Sequence, residues 1–440
     1  MGAAINIALP QMGSELVMDA ISLGWVATAY LLASVIFVLP FGRLADIYGR
    51  KKIYTWGMIA FTVTSLLLAM TDSSTMLIAL RFVQGAGGAL IFGTTIAIVT
   101  SAFPSGDRGR AIGLTAGAVY LGISLGPFLG GLLTQYWGWR SIFIVCVPIG
   151  LLIIALIFWR LKGDWTEAKG EKFDIVGSVI YSLMLVAVIY GFTHLPELLG
   201  VVLIVVGILG FVAFVIWEMM ATSPLLDLNL FRQNRAFAFS CLAALINYGA
   251  TYAVGFLTSL YLQYIKGLSP QNAGFILVSQ PIMQALFSPI AGRISDRIQP
   301  RIVASAGMSC TVVGLLSFVF LSKETAMLQI IFSLIILGFG FALFASPNTN
   351  AVMSSVEKKF YGVASATLAT MRQVGMILSM GIVMLLFALY MGKVQITPEY
   401  HGAFLQSVQI AFIISAILCF FGIFASLARG NVSRSNRQDL

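Results

Sequence analysis

Apolar runs recur along the whole 440-residue chain, and each of about 20 residues is long enough to cross a ~30 Å hydrocarbon core as a helix. In lipid, every backbone polar group needs an internal partner, which leaves only helices or a closed barrel. The runs are continuous rather than alternating, and that excludes barrel strands. Charged residues make up 10% of the chain, against about 25% in soluble domains. The sequence therefore specifies an all-α polytopic membrane protein. Its net charge of +9 does not point to nucleic acid, because the basic residues lie in loops and read as orientation signals.

Fourteen spans fit the pattern, at about 1–10, 23–41, 53–70, 76–99, 111–133, 141–159, 175–193, 199–217, 237–262, 273–291, 302–321, 328–347, 363–391 and 404–427. The first reads as the second half of a truncated helix 1, from a fragment or a misassigned start codon. No basic segment precedes it and no A-x-A cleavage site follows, so it is a poor signal peptide. With the beginning of the chain in the cytoplasm, twenty Lys and Arg fall in cytoplasmic segments, and only Arg140, Lys266, Lys323 and Lys393 in outer loops. That bias sets the orientation and a cytoplasmic C-terminus, since one missed helix would invert every later loop. The remaining two, Arg81 and Arg372, lie inside spans. Cys146, Cys241, Cys310 and Cys419 sit in apolar runs without metal spacing, and His194 and His401 sit near loops. No metal and no cofactor is expected.

The stretch Gly42-Arg43-Leu44-Ala45-Asp46-Ile47-Tyr48-Gly49-Arg50-Lys51-Lys52 follows the second span. It returns as Gly292-Arg293-Ile294-Ser295-Asp296-Arg297-Ile298-Gln299-Pro300-Arg301. Gly42 and Gly292 are 250 residues apart, and the pairs Gly109/Gly362 and Gly122/Gly375 are 253 apart. Six helices account for about 200 of that offset, and the surplus of about 50 is two more helices. Residues 1–159 and 236–427 then form homologous six-helix halves. A linker and two inserted central helices occupy 160–235, and a cytoplasmic tail occupies 428–440. Parallel repeats of this kind are a transporter architecture. Within the repeated stretch, Gly42 and Gly49 permit positive φ or close backbone approach. Asp46 can accept from N–H groups at a helix start or pair with an arginine. Arg50, Lys51 and Lys52 hold the turn in the cytoplasm. The stretch is either a topological anchor or a latch whose charge pair is made in one state and broken in another.

The 42–52 stretch resembles the loop 2–3 motif of the major facilitator superfamily. Arg81-Phe82-Val83-Gln84-Gly85 resembles its helix 4 motif. Gly122-Ile123-Ser124-Leu125-Gly126-Pro127-Phe128-Leu129-Gly130-Gly131 resembles the helix 5 motif of its exporters. Fourteen spans with a central pair are similar to its drug:proton antiporter branch. The resemblance implies a cavity lined by the first and fourth helices of each half, and a part for Arg81 in proton coupling. It implies a monomer in the cell membrane, with a small-molecule substrate, protons as coupling ion and the lipid bilayer as its partners.

The residues carry a reading of their own. Gly113, Gly117, Gly122, Gly126 and Gly130 are mostly four apart and line one helix face, which allows close packing. Pro127 removes a backbone donor and can kink the helix. This is either ordinary packing or a bendable seam, continued by Gly131, that closes one side against leak. Arg81 lies about six residues inside its span, where snorkelling is available. Gln84, Gly85 and Gly88 share its face, however, and direct it into protein. Arg372 is about ten residues deep, ~15 Å along the helix. There it needs either backbone carbonyls or an anionic partner. Gln84 joins Arg81 and Arg372 as candidates for proton coupling.

No Asp or Glu lies well inside any span. Related cation exporters are expected to keep an acid before the Asn-x-Ala-Leu-Pro segment, here Asn6-Ile7-Ala8-Leu9-Pro10, and its place falls at or before Met1. Asn247, Tyr248, Thr251, Tyr252, Gly255 and Ser259 form a polar-aromatic stripe on the ninth span. With Asn6, Gln280 and Gln284, they are candidates to line the substrate cavity. They form either a core hydrogen-bond network or a wide pocket for bulky amphipathic ligands. A G-x-x-x-x-G-K-[ST] nucleotide loop is absent, which argues against a primary pump. The spans hold no cluster of His, Asp, Glu and Cys for an intramembrane enzyme. The expected function is secondary export of amphipathic compounds by alternating access in exchange for protons. An uptake symporter, an exporter of one anionic or neutral metabolite and a truncated non-transporting relative are the alternatives.

Overall fold

The computed structural model describes the chain except residues 104–107, 162, 167–169, 171–172, 222–223, 227, 358–360 and 431–440, and except the side chains of 108–110, 112, 113, 116, 120, 229 and 296. The helices are α1 (Gly2–Glu15), α2 (Ala20–Tyr48), α3 (Arg50–Ala69), α4 (Ser74–Ala102), α5 (Arg108–Trp137), α6 (Arg140–Arg160), α7 (Ile175–Thr193) and α8 (Leu198–Met220). After the short α9 (Leu228–Gln233) come α10 (Arg235–Thr251), α11 (Ala253–Leu260), α12 (Pro270–Leu277), α13 (Ser279–Arg297), α14 (Pro300–Val319), α15 (Met327–Ser354), α16 (Tyr361–Tyr390) and α17 (His401–Ala428). Among the described residues, 13 helical runs are long and apolar enough to cross a membrane. The fourteenth expected span is α1, whose 14 residues extend about 21 Å at 1.5 Å per residue.

Caps set several helix starts. Side chains of Asp19, Asp174 and Asn234 accept from the backbone N–H three residues on, at 2.6, 2.8 and 2.9 Å. Each satisfies a donor that has no partner within its helix.

Three boundaries differ from expectation for local reasons. The 42–52 stretch is mostly helix rather than loop. α2 runs to Tyr48, α3 starts at Arg50, and Gly49 alone makes the turn at φ 113°, a conformation that strains any residue with a Cβ. The ninth span breaks at Tyr252. There Ala253 N donates to Ser379 Oγ at 3.2 Å, so a foreign side chain stands in the helical ladder. The twelfth span continues past Pro347 to Ser354. A membrane helix tolerates proline, and beyond it Asn348 Nδ2 donates to Ser240 O of α10 at 3.1 Å, which ties the continued turns to that helix.

The contacts divide the chain into two compact units. The first comprises Met1–Leu225, Val254–Val278 and Met380–Val408. In it, α7 is tied to α2 by Tyr181, whose hydroxyl donates to Val35 O at 3.2 Å. The second comprises Leu226–Ala253, Ser279–Ser379 and Gln409–Leu440. Arg429, only 2% exposed, ties this unit together. Its Nη1 donates to Asn348 Oδ1 at 3.0 Å and Ser240 Oγ at 3.3 Å, Nε to Ser426 O at 2.7 Å and Nη2 to Ser426 Oγ at 2.5 Å.

Candidate functional site

Gly49 places Arg50 one helical turn beyond Asp46, and the two pair across the bend. Arg50 Nε and Nη2 both lie 2.8 Å from Asp46 Oδ1. Nη1 donates to Ser101 Oγ at 2.7 Å and Ala97 O at 3.4 Å, which joins α2, α3 and α4. Arg50 is buried, whereas the Asp46 side chain is 30% exposed. The chain after α6 folds back onto the same turn. Lys51 N donates to Asp164 Oδ1 at 3.0 Å, Arg50 N to Trp165 O at 3.0 Å, and Lys51 Nζ to Leu161 O.

Gly42 is helical, and a Cβ there would stand an ordinary 3.9 Å from Gly93 O. The tight approach belongs to Gly93 instead, where a Cβ would stand 3.2 Å from Val38 O. Arg43 is half-buried on α2.

The second copy is built differently. Gly292 packs on α15, where a Cβ would stand 2.9 Å from Ser346 Oγ. Asn350 Nδ2 donates to Ser295 Oγ at 3.0 Å, and Arg293 is exposed. The Asp296 side chain lies outside the described residues, as does that of position 113 in the glycine ladder. Pro300 occupies the register position of Arg50. Asp46→Asn is therefore expected to lower transport about three- to tenfold, since a partly exposed ion pair is worth only about 1 kcal/mol, and Asp296→Asn to lower it less. Initial transport rates of the two variants at matched membrane abundance check this, and equal effects would reduce both copies to anchors.

Arg81 does not snorkel. It is 2% exposed, donates from Nε to Val26 O at 3.0 Å and from Nη1 to Gln84 Oε1 at 2.5 Å. Its Cζ lies 4.4 Å from the centre of the Tyr30 ring. Gln84 Nε2 donates in turn to Ser65 Oγ at 2.8 Å. The network thus runs through α2, α3 and α4 within the first unit.

The glycine ladder of α5 packs over only part of its length. At Gly117 and Gly122 an added Cβ would meet nothing within 4 Å. At Gly126 it would stand 3.2 Å from Ala3 Cβ, at Gly130 2.5 Å from Ala4 Cα, and at Gly131 2.6 Å from Pro270 O. Gly274 of α12 lies against Pro127 O, and Phe128 and Phe275 pack at 5.2 Å. The seam joins α1, α5 and α12 near the end of the bundle that carries Arg140. There Glu15 pairs with Arg140, and Arg140 Nη2 also lies 2.6 Å from Asp72 Oδ1. Burial opposes ionisation of Glu15, but hydrogen bonds from Arg140 and Trp139 outweigh it and hold the carboxyl below its usual range. Next to the seam, Ser259 Oγ donates to Asn6 O at 2.7 Å and Gln263 Nε2 to Ile7 O at 2.9 Å. Asn6 is thus engaged through its carbonyl as well as being a candidate lining residue.

The second unit gathers part of the stripe on the ninth span around Arg372. α10 and α16 touch backbone to backbone, since a Cβ at Gly375 would stand 3.0 Å from Gly249 N. One turn away, Arg372 Cζ lies 5.5 Å from the centre of the Tyr248 ring, and Nη2 donates to Thr349 Oγ1 at 2.6 Å. Asn247 is fully buried with neither amide atom partnered among the described residues. Thr251 turns back to its own helix, donating to Asn247 O at 2.8 Å. Tyr252, Gln280 and Gln284 are half-buried, and no hydrogen bond joins either glutamine to Arg372.

Sequence reasoning missed Tyr30, Ser65, Ser101, Asp164, Asn348, Thr349 and Arg429. One signal was present: Ser346-Pro347-Asn348-Thr349-Asn350 is a polar run abutting an apolar span, and each of its last three side chains bonds to a different neighbour.

The sequence matches the family profile described as Major Facilitator Superfamily over residues 1–240 and again over 240–439. It is 30% identical over 425 residues to the riboflavin transporter RibZ of Clostridioides difficile (strain 630), covering 96% of this chain and 92% of the relative. It is 30% identical over 377 residues to the multidrug resistance protein Stp of Mycobacterium tuberculosis (strain CDC 1551 / Oshkosh), covering 84% and 70%. A tetracenomycin C resistance and export protein of Streptomyces glaucescens is 28% identical over 395 residues, with 89% and 73% covered. Among solved structures, the fold is similar to a bacterial homolog of the human lysosomal transporter Spinster, in an inward-facing and unoccupied conformation. The TM-score is 0.70 at 13% identity, covering 97% of this chain and 93% of that one.

Proposed function

The chain belongs to the major facilitator superfamily and is a multi-pass membrane transporter of small molecules, and on that footing we propose that it exports amphipathic compounds by alternating access in exchange for protons. The observation that carries export is the seam of Gly126, Gly130 and Gly131 against α1 and α12. Backbones packed this closely make a barrier with little side-chain bulk, one that a small rigid-body shift opens. Two relatives bearing export or multidrug resistance in their names support the same reading. Coupling is assigned to the buried Arg81–Gln84–Ser65 network: Arg81 stays charged throughout, and its hold on the network shifts when a neighbouring group or the transported compound takes up or gives up a proton. In this reading 1–159 and 236–427 are the halves that rock, α7 and α8 ride with the first, and the monomer lies in the cell membrane with its C-terminus cytoplasmic.

The test uses everted membrane vesicles acidified by respiration. Addition of a transported compound is expected to release protons in proportion to uptake, and uptake without proton release removes the exchange mechanism. A second reading, a carrier dedicated to one metabolite, is favoured by the likeness to RibZ. Competition separates the two: unrelated lipophilic dyes inhibit uptake of one another under the first reading, and only close analogues of one compound inhibit under the second.

A further inference from the structure

Export by this scheme leaves Arg372 without a task. Tyr361, the start of α16, lies eleven residues before it, about 16 Å of helix at 1.5 Å per residue. A guanidinium so deep in a hydrocarbon layer is costly unless it is compensated. The compensation within its unit is incomplete. Nη2 donates to Thr349 Oγ1 at 2.6 Å, but that hydroxyl is neutral and itself donates to Ala345 O at 2.7 Å. The Tyr248 ring lies 5.5 Å away, and among the described residues the enclosed Nε has no acceptor. Among the described side chains of this unit's helices there is no carboxylate. α10, α14, α15, α16 and α17 contain no Asp or Glu, and α13 contains only Asp296, one residue from its end.

Arg429 shows what a structural arginine looks like in the same unit, since all three of its nitrogens have acceptors. Arg372 instead keeps a donor in reserve. Beside it in sequence, Gln373 Oε1 is also enclosed without a partner among the described residues.

We propose that Arg372 recognises an acidic group, a carboxylate or sulfonate, on the transported compound, with Thr349 and Tyr248 fixing the guanidinium. A guanidinium offers a planar fork of donors that matches such a group. This rests on the transporter reading above and narrows its substrates to amphipathic acids. A lipid phosphate shares the chemistry, but headgroups lie near helix ends, and the ~16 Å of helix that separates Arg372 from the start of α16 favours a substrate.

The test is binding to the purified full-length chain in neutral detergent, read as a shift in thermal unfolding. The probes are 1-naphthoate and 2-naphthalenesulfonate against their neutral partners 1-naphthamide and 2-naphthalenesulfonamide. The acids are expected to stabilise the unmodified protein at lower concentration than the amides. Arg372→Gln is expected to weaken the acids at least about tenfold, as loss of a charge-assisted contact does, and to leave the amides unchanged. Thr349→Val, which keeps the charge, weakens the acids less. The free Arg372→Gln protein is expected to unfold at the same or a higher temperature, because an uncompensated charge is gone.

No acid preference in the unmodified protein overturns the proposal. So does an Arg372→Gln protein that unfolds earlier and keeps the preference, which would make Arg372 a structural tie. Arg372-dependent stabilisation by phosphatidylglycerol in place of the aromatic acids overturns the substrate assignment. Binding is read without a gradient, so failure of proton exchange leaves this result standing. Failure here likewise leaves export of neutral amphiphiles intact.

Discussion

Replacing Arg81 with lysine is expected to cut substrate-driven proton release about ten- to a hundredfold while the protein stays folded. Lysine keeps the positive charge but not the fork. It gives up the donation from Nε to Val26 O and the flat face that lies 4.4 Å over Tyr30. A hydrogen bond from a charged group is worth about 1.5–3 kcal/mol, and about 1.4 kcal/mol is a factor of ten. Because Gln84 is held at both ends, by Arg81 and by Ser65, losing the fork also frees the amide. Binding, read by substrate-induced thermal stabilisation, is expected to change less than proton release. Arg81→Lys with unaltered release would remove the guanidinium from the coupling mechanism.

The second large effect is expected at the seam. A methyl group at Gly130 would stand 2.5 Å from Ala4 Cα, and one at Gly274 would meet Pro127 O. In both cases the obstacle is backbone, which cannot rotate away. Gly130→Ala and Gly274→Ala are therefore expected to destabilise by about 1–3 kcal/mol, the cost of overpacking, and to abolish transport because α1, α5 and α12 can no longer close. Gly122→Ala is the control. It has open space, and a helix-interior alanine is favoured over glycine, so stability and transport are expected to hold or improve. Thermal unfolding and uptake measured on the same preparations check all three. Loss of function at Gly122 would mean that the ladder matters for something other than packing.

The difference between Gly122 and Gly130 marks the limit of what the chain discloses. Spacing four apart puts both on one face, and sequence alone treats them alike. Which of them meets a backbone depends on where α1 and α12 cross α5, and no local pattern encodes a crossing. The helices themselves were legible, since a hydrophobic run of membrane length has one stable outcome and a strong charge bias orders the loops.

Partnerships between distant segments were not legible. Arg50 was visible as a cation near a turn, yet its burial depends on Ser101 at the far end of α4. Asp164, in a charged linker that read as solvated, closes on the start of α3. The break in the ninth span had no proline to announce it, and the glycines at 249 and 255 do not fix its place, because its cause, Ser379, is 126 residues away. Arg81 and Arg372 were both recognisable as arginines inside spans. Only their surroundings separate a charge inside a satisfied network from one that keeps a donor in reserve.

The central claim is that the seam between α5 and α12 opens and closes in every transport cycle. A reducible cross-link across it tests this most directly. Tyr136 Oη donates to Gln271 Oε1 at 3.2 Å, so these two side chains meet across the seam and neither position is a glycine pressed on backbone. Tyr136→Cys with Gln271→Cys, in a chain whose Cys146, Cys241, Cys310 and Cys419 are replaced by serine, is expected to transport before treatment, to stop when the pair is bridged by a short bis-methanethiosulfonate, and to recover on addition of dithiothreitol. Undiminished transport by the fully cross-linked protein would contradict the account.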